Sequence, residues 1–199
     1  MVVISIEGLM GTGKSTVLAA LKERGFKVVT EPVKKWTFLQ KFYDDPRKYS
    51  LALQIQILLT FAEQEFPEDE VVFVERSPAV SRYVFANMLR SEGLMTDEAT
   101  NVYSELYEKL ELWKPDGYIF LDAPVDTCLK RQESRGDSYN ITRQYMTNLE
   151  KYYNIFFKYN TRDIVDSSRP VEDVVTDVLA AVERMKSKSD SASSASNSC

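Results

Sequence analysis

Histidine does not occur in the 199 residues of the chain. Its absence removes the Ser-His-Asp arrangement, the Cys-His pair and every histidine-based metal site. Cysteine is nearly absent. Cys128 and Cys199 are the only two, too few for a disulfide framework, and a reduced, cytoplasmic setting is expected. No apolar run approaches the ~20 residues that cross a bilayer, so no membrane partner is expected. The first apolar run starts at Val2 and a glycine-rich loop at Gly8, an order from which no signal or transit peptide is expected. Basic stripes are missing as well. Lys and Arg number 25 against 30 Asp and Glu, a net charge of -5, and nucleic acid is not an expected partner. A small anionic ligand stays open, because a local loop can bind phosphate inside an acidic protein.

Hydrophobic residues supply 44% of the chain and charged residues 28%, enough apolar material for the core of one globular domain. Five short runs read as strands: "VVISIEG", "FKVVTEP", "EVVFVERS", "DGYIFLDAP" and "RDIVDSS". Between them lie helical patterns. "KSTVLAALKERG" stops at Gly25, "PRKYSLALQIQILLTFAEQEF" is opened by Asp45 and Pro46, and "PAVSRYVFANMLRS" is capped by Ser77. Further helices follow in "TDEATNVYSELYEKLELW", "VDTCLKRQESRG", "TRQYMTNLEKYYNIFFKYN" and "PVEDVVTDVLAAVERMK". Such alternation predicts an α/β fold, a five-stranded parallel sheet with helices on both faces. Residues 1–186 are expected to form a single domain, and the serine-rich segment 187–199 to be disordered.

The most specific signal is "EGLMGTGKST", Glu7 to Thr16. Gly8, Gly13, Lys14 and Ser15 fit G-x-x-x-x-G-K-[ST], a phosphate-binding loop. The backbone from Gly8 through Leu9, Met10, Gly11, Thr12 and Gly13 to Thr16 can turn its N–H groups inward around phosphate oxygens. Lys14 adds a positive charge at the outer phosphates, Ser15 offers a hydroxyl to Mg²⁺, and the helix N-terminus adds its dipole. A strand precedes the motif and a helix follows, as a P-loop NTPase fold requires.

Three further groups bear on where a phosphate goes. Glu31, in "TEPVKKW", falls at the carboxyl edge of the sheet, where ligands of such sheets bind. A carboxylate there can accept the proton of an attacking hydroxyl, an effect of ~10²–10⁴ in rate, or it can simply cap a solvated loop. Glu75 ends the apolar strand in "FVERS", the usual place for an acid on the Mg²⁺ side. Arg76 beside it can hold an acceptor or a phosphoryl oxygen, or form a surface ion pair. Arg131 and Arg135 stand one turn apart in "RQESRG". They can close over phosphates as a lid, or form a solvated helix end. Gln54 shares a helix face with Ile57 and Phe61. A glutamine on an apolar face needs a partner, either the protein's own backbone or a base edge with a donor and an acceptor.

Together the pieces match a family. The loop Gly8–Ser15, "EPVKKW", "FYDDPRKY", the glutamine in "LALQIQILLTF", "ERS" and "LDAPVDTCLKRQESRG" occur in this order. The sequence resembles the cellular-type deoxynucleoside kinases (thymidine, deoxycytidine, deoxyguanosine and insect multisubstrate enzymes) over roughly Val2 to Phe157. The resemblance implies transfer of the ATP γ-phosphate to a deoxynucleoside 5'-hydroxyl. It implies that Glu31 is the general base, that Arg76 contacts the 5' end, that Lys14 serves the phosphates and that Ser15 and Glu75 serve Mg²⁺. Trp36 would pack on the nucleoside, Tyr43 bind the sugar 3'-hydroxyl, Gln54 pair with the base edge, and Arg131 and Arg135 act as lid arginines. "DSSRPVED" corresponds to the segment that holds the ATP adenine. Members are mostly homodimers. The predicted helix from Thr96 to Trp113, with Tyr103, Leu106, Tyr107, Leu110 and Trp113, offers such a face or belongs to the core.

Members that prefer deoxycytidine or purines carry an arginine at the position of Phe61 and an aspartate at that of Ser81. With both charges absent, the base pocket should be apolar apart from Gln54, which can bond the O4/N3 edge of thymine. Thymidine and deoxyuridine, with deoxycytidine, are expected ahead of purines, and bulky Phe61 narrows the space. One departure follows Arg135. Many members continue with another arginine and a glutamate on the 3'-hydroxyl, whereas here "GDSYN" puts Asp137 near the first and Asn140 near the second. Thymidylate kinases share the loop, but usually carry an arginine before "EP" and Asp-Arg-Tyr where this chain has "ERS". A GTPase-type switch needs Asn-Lys-x-Asp after a later strand, where this chain has "LDAP".

Overall fold

The structure, a computed structural model, describes residues 1–66, 71–136 and 141–196, with side chains through Ser187. Strands β1 (Val2–Glu7), β2 (Lys27–Val29), β3 (Val71–Glu75), β4 (Gly117–Asp122) and β5 (Asp163–Asp166) form one parallel sheet. Their order is β2-β3-β1-β4-β5, the α/β architecture expected from the alternating pattern. β1 is central, with β3 on one side and β4 on the other. The connections diverge there, which opens a crevice at the carboxyl ends of the strands.

Strand residues alternate between the two faces. Ile4 and Ile6, with Phe73, Ile119 and Leu121, meet α1 (Lys14–Glu23) and α9 (Val171–Ser196) through Val17, Leu18, Leu21, Val174, Val175 and Val178. Each such aliphatic side chain contributes about 1.5–3 kcal/mol by leaving water. The opposite face carries the larger layer. It comprises α2 (Leu39–Asp44), α3 (Pro46–Ala62), α4 (Pro78–Val80), a π-helical stretch Ser81–Ala86, α5 (Asn87–Ser91), α6 (Asp97–Lys109), α7 (Val125–Arg135) and α8 (Arg143–Phe156). Its core includes Leu53, Leu58, Val84, Met88, Tyr103, Leu149 and Tyr153.

Local chemistry sets the helix ends. Asp45 accepts from the Lys48 N–H with Pro46 in the first turn, and Ser77 accepts from the Val80 N–H ahead of Pro78. Caps of this kind are worth about 1 kcal/mol each. Gly136, at φ 69°, closes α7.

Three details differ from the sequence reading. The helix opened by Ser77 is not uniform, because Ser81–Ala86 widens to π geometry. α6 stops at Lys109 rather than Trp113, where Glu111 takes φ 46°. Its aromatic face is partly core. Tyr103 is fully buried, Leu106, Tyr107 and Leu110 pack on the same cluster, and Trp113 packs edge-on against Phe61 and Phe66. Finally, α9 runs on to Ser196, into the serine-rich segment. No proline or glycine stands between Pro170 and Ser196 to break it. Among the described residues no helix is long and apolar enough to cross a membrane.

Candidate active site

The chain leaves β1 at Glu7 and coils through the glycine loop into α1. Gly8 has φ 145°, and a Cβ there would stand 2.6 Å from the Leu121 carbonyl oxygen. Gly11 has φ 86°, and its Cβ would meet the Cys128 carbonyl oxygen at 2.4 Å. Gly11 occupies a variable position of the motif, so its requirement comes from α7, which lies against the loop. Gln132 Nε2 donates to the Met10 carbonyl at 2.8 Å. Arg131 donates to the carbonyls of Gly11, Thr12 and Ser167 at 3.5, 3.4 and 3.0 Å.

Lys14 is buried and curls back, with Nζ donating to the carbonyls of Gly8 at 3.2 Å and Leu9 at 2.9 Å. Burial pushes its ammonium down to about 8, with Arg76 adding to the effect against the pull of Glu75, Glu31 and Glu7. A bound phosphate supplies the opposite charge and restores it.

The Ser15 hydroxyl donates to Glu75 Oε1 at 3.0 Å, and the Glu31 backbone N–H approaches Glu75 Oε2 at 3.4 Å. Ser15 and Glu75 thus present a hydroxyl and a carboxylate side by side, hard oxygen donors that suit Mg²⁺. Among the described residues no cluster of three or more carboxylate or thiol side chains could hold a metal by itself. A cation here would need the phosphate oxygens of a nucleotide as well, which is how Mg²⁺ is usually bound.

Arg76 follows at once on β3, in the left-handed region at φ 63°. That conformation costs about 1–2 kcal/mol for a residue with a Cβ, and it is held by the Arg76 N–H donating to the Ile6 carbonyl at 3.2 Å. The guanidinium lies 5.1 Å over the Phe85 ring and donates to Glu31 Oε2 at 2.6 Å. Among the described residues its Nε has no acceptor, a buried donor available to an anion. Burial pushes the Glu31 carboxyl up. Arg76 pulls it back down, and Glu75 pushes it further up.

A cavity of about 470 Å³ opens in front of this pair. Lys14, Ser15, Glu31, Trp36, Tyr43, Gln54, Ile57, Phe61, Glu75, Arg76, Ser81 and Arg135 all line it, so the structure brings together nearly every residue singled out in the sequence. Trp36 is fixed by its indole N–H, 3.4 Å from Thr60 Oγ1, and the Tyr43 hydroxyl lies 3.8 Å from Met10 Sδ. A second space of about 310 Å³ lies across the loop, between Gly11, Thr12, Gly13, Thr16, Arg131 and Arg135 on one side and Ser167, Arg169 and Val171 on the other. The "DSSRPVED" segment thus borders a space shared with the loop. Gly8 and Leu9 line neither space, because they form the buried root of the loop. Asn140 and Asp137 lie outside the described residues.

Several lining residues carry no signal in the sequence. Leu53, Phe42, Phe85, Ile141 and Tyr145 face the same cavity, and nothing in their local pattern separates them from core. Glu7 is the other omission. It is fully buried, with Ser5 and Ser77 hydroxyls donating to Oε1 at 2.7 and 3.1 Å and the Tyr153 hydroxyl to Oε2 at 3.1 Å. An acid at the end of a buried strand was the available clue.

A parallel sheet of this order, with a glycine loop after its central strand and its lysine folded beneath, makes this a P-loop NTPase fold protein. The apolar cavity facing the loop across Glu31 and Arg76 adds room for a second molecule beside the nucleotide. The chain belongs to the deoxynucleoside kinase family, whose family model matches residues 4–193. It is 32% identical over 195 residues to putative kinase protein 143R of Invertebrate iridescent virus 6, covering 94% of this chain and 100% of that one. It is 26% identical over 211 residues to the deoxyadenosine/deoxycytidine kinase of Bacillus subtilis, covering 94% and 95%. Among solved structures, deoxyadenosine kinase from M. mycoides with products dCMP and a flexible dCDP bound superposes with a TM-score of 0.81 at 23% identity, covering 92% of this chain and 99% of that one.

Proposed function

We propose that this deoxynucleoside kinase transfers the γ-phosphate of ATP to the 5'-hydroxyl of a pyrimidine deoxynucleoside, with thymidine and deoxyuridine first and deoxycytidine after them. The observation that carries the reading is the buried Glu31–Arg76 pair at 2.6 Å, set between the phosphate loop and an apolar cavity. Relatives named as deoxyadenosine, deoxycytidine and deoxyguanosine kinases span several bases. The thymidine preference therefore rests on this chain's own cavity, in which Phe61 is a bulky apolar wall and Gln54 and Ser81 are the uncharged polar groups beside it.

In this reading Trp36 and Phe61 hold the base plane and Gln54 its edge, while Tyr43 meets the sugar. Glu31 accepts the proton of the attacking 5'-hydroxyl, and Arg76 orients that oxygen and meets the charge that develops on the phosphoryl group. Lys14 and the loop N–H groups hold the outer phosphates. Arg131 and Arg135 cover them from α7 and keep water away, so that the phosphate passes to the hydroxyl rather than to solvent. Ser15 and Glu75 would hold Mg²⁺, which supplies charge neutralisation between the phosphates. The ATP adenine and ribose would take the second space beside Ser167 and Arg169. A homodimer belongs to the same reading, with Leu59 and Val102 exposed on the packed helices α3 and α6.

The test is a set of initial rates with Mg-ATP and thymidine, deoxycytidine, deoxyadenosine, deoxyguanosine or thymidine monophosphate. Fastest turnover of thymidine is expected. Faster turnover of a purine overturns the preference, and turnover of thymidine monophosphate alone moves the acceptor from the 5'-hydroxyl to a phosphate.

A further inference from the structure

Three buried polar side chains form a line that runs from the cavity wall into the interior. Ser81 Oγ lies 3.3 Å from Gln54 Oε1 and 2.9 Å from the Tyr103 hydroxyl. Gln54, Ser81 and Tyr103 expose 3%, 4% and 0% of their surface, so the Tyr103 end of the line is closed to water. Gln54 and Ser81 face the cavity, whereas Tyr103 stands behind them on α6 and does not. Ser81 opens the π-helical stretch, which packs against both α3 and α6. π turns recur at functional sites, and this one sets a single hydroxyl between the two helices.

We infer that this hydroxyl relay, Tyr103 to Ser81 to Gln54, fixes which way round the Gln54 amide faces a bound base and so sets the discrimination between keto and amino bases. The inference rests on the proposed role of Gln54 at the base edge.

The direction of the relay follows from counting protons. Tyr103 has one hydroxyl proton, and Ser81 Oγ is the acceptor within reach. A buried O–H without an acceptor is costly, so Tyr103 donates. Burial also holds the phenol well above its ordinary value, so that proton is not lost to solvent. Ser81 then has its own proton to give, and the acceptor beside it is Gln54. Of the two ends of an amide only the oxygen accepts. Turning the amide over would set its NH₂ against the Ser81 proton, two donors face to face. The carbonyl is therefore pinned on Ser81, with one lone pair used, and the placement of the NH₂ within the cavity is fixed with it.

The consequence lies in the chemistry of the bases. Thymine, uracil and guanine present a keto oxygen beside a ring N–H. Cytosine and adenine present an amino group beside a bare ring nitrogen. The donor and acceptor stand in opposite order in the two classes. A freely turning amide serves both, whereas a pinned amide fits one and leaves the other with mismatched groups. Buried polar mismatch is what gives binding sites strong discrimination. Tyr103 would thus be a positioning residue for specificity although it does not border the cavity.

The test is a competition in one tube. Wild type, Tyr103→Phe, Ser81→Ala and Gln54→Leu each receive equal thymidine and deoxycytidine with Mg-ATP, and the product ratio reads the ratio of kcat/KM. The ratio is independent of how much enzyme is folded, so a merely structural loss does not move it. Wild type is expected to favour one nucleoside by roughly tenfold or more, the size of one buried hydrogen-bond mismatch. Ser81→Ala removes the proton that pins the amide, and Tyr103→Phe frees Ser81 Oγ to turn away from Gln54 onto a carbonyl of its own helix, so each is expected to move the ratio roughly fivefold or more toward unity. A wild-type ratio near unity overturns the relay together with the ordering of thymidine over deoxycytidine, whereas a Tyr103→Phe ratio equal to wild type while Gln54→Leu shifts it overturns the relay alone. A Gln54→Leu ratio equal to wild type overturns the base-edge reading and the relay with it.

Discussion

The Arg76 guanidinium and the Glu31 carboxylate meet at 2.6 Å with their side chains only 10% and 12% exposed. A charge pair this covered is expensive to create and is stabilising only while both partners remain. Its place at the mouth of the phosphate loop, with Arg76 in a strained backbone conformation, fits the proposed role of the pair in phosphate transfer.

Glu31→Gln keeps the shape of the side chain and removes its ability to take a proton. Turnover is expected to fall by ~10²–10⁴, while thymidine still binds in equilibrium titration. Retained turnover would remove Glu31 from the role of base. Burial raises the Glu31 carboxyl above its ordinary 4.5, so the acid limb of the kcat/KM profile should lie above the usual carboxylate range. Activity falls as pH drops through that raised value, because the protonated acid cannot accept.

Lys14 loses its proton near pH 8 in the empty protein. Phosphates in the loop favour the charged form, so binding of an unreactive ATP analogue at pH 8 should take up a fraction of a proton. Calorimetry in two buffers of different ionisation enthalpy measures it, and the uptake should vanish at pH 6.5. Equal apparent enthalpies in both buffers at pH 8 would contradict it.

Glu7 is raised to about 7 from 4.5 by burial, against the donors Ser5, Ser77 and Tyr153 and the nearby Arg76 charge. The unfolded chain ionises this group above pH 4.5 and the folded protein only near pH 7. The stability it carries is present in full below pH 4.5 and is lost as pH rises to 7, by about 3 kcal/mol in all. Glu7→Gln has no such window. The melting temperature of the variant relative to wild type should therefore rise between pH 5 and pH 8. A constant difference at the two pH values would show that Glu7 does not titrate there.

Gly11→Ala brings a methyl group to 2.4 Å from the Cys128 carbonyl at a φ of 86°. The conformation alone costs about 1–2 kcal/mol, and the contact must also push α7 off the loop. Lower thermal stability and a raised KM for ATP are expected together. An unchanged KM would mean that α7 does not seat the loop.

Much of this was legible locally. Strands ended where their apolar runs ended, and Asp45, Ser77 and Gly136 capped helices as their residue types dictate. The loop motif and the two acids at strand ends located the crevice, and the structure brings Glu31, Glu75 and Arg76 to it. The rest depends on distant segments. Ser81 meets Gln54 across 27 residues and Tyr103 across 22, and Tyr153 meets Glu7 across 146. No periodicity encodes those meetings. The aromatic face of α6 shows the same limit from the other side. Its spacing fits a dimer surface and a core equally, and it is the position of α3 and the π stretch against it that buries Tyr103 and half-buries Leu106, Tyr107 and Leu110.

β2 has three residues and pairs on one side only, whereas β1 pairs on both. Glu31 hangs from that short margin, and the glycine loop hangs from the middle. Margins of a sheet open by fraying at far lower free energy than its centre. The two halves of the crevice therefore differ in permanence. The loop side is anchored like a keystone, while the Glu31 side, which receives the nucleoside in the proposed reading, is expected to loosen first. Amide protons of Val28 and Val29 should exchange with solvent well before those of Ile4 and Ile6, and in the proposed reading that difference would let an acceptor enter and leave without unseating the nucleotide.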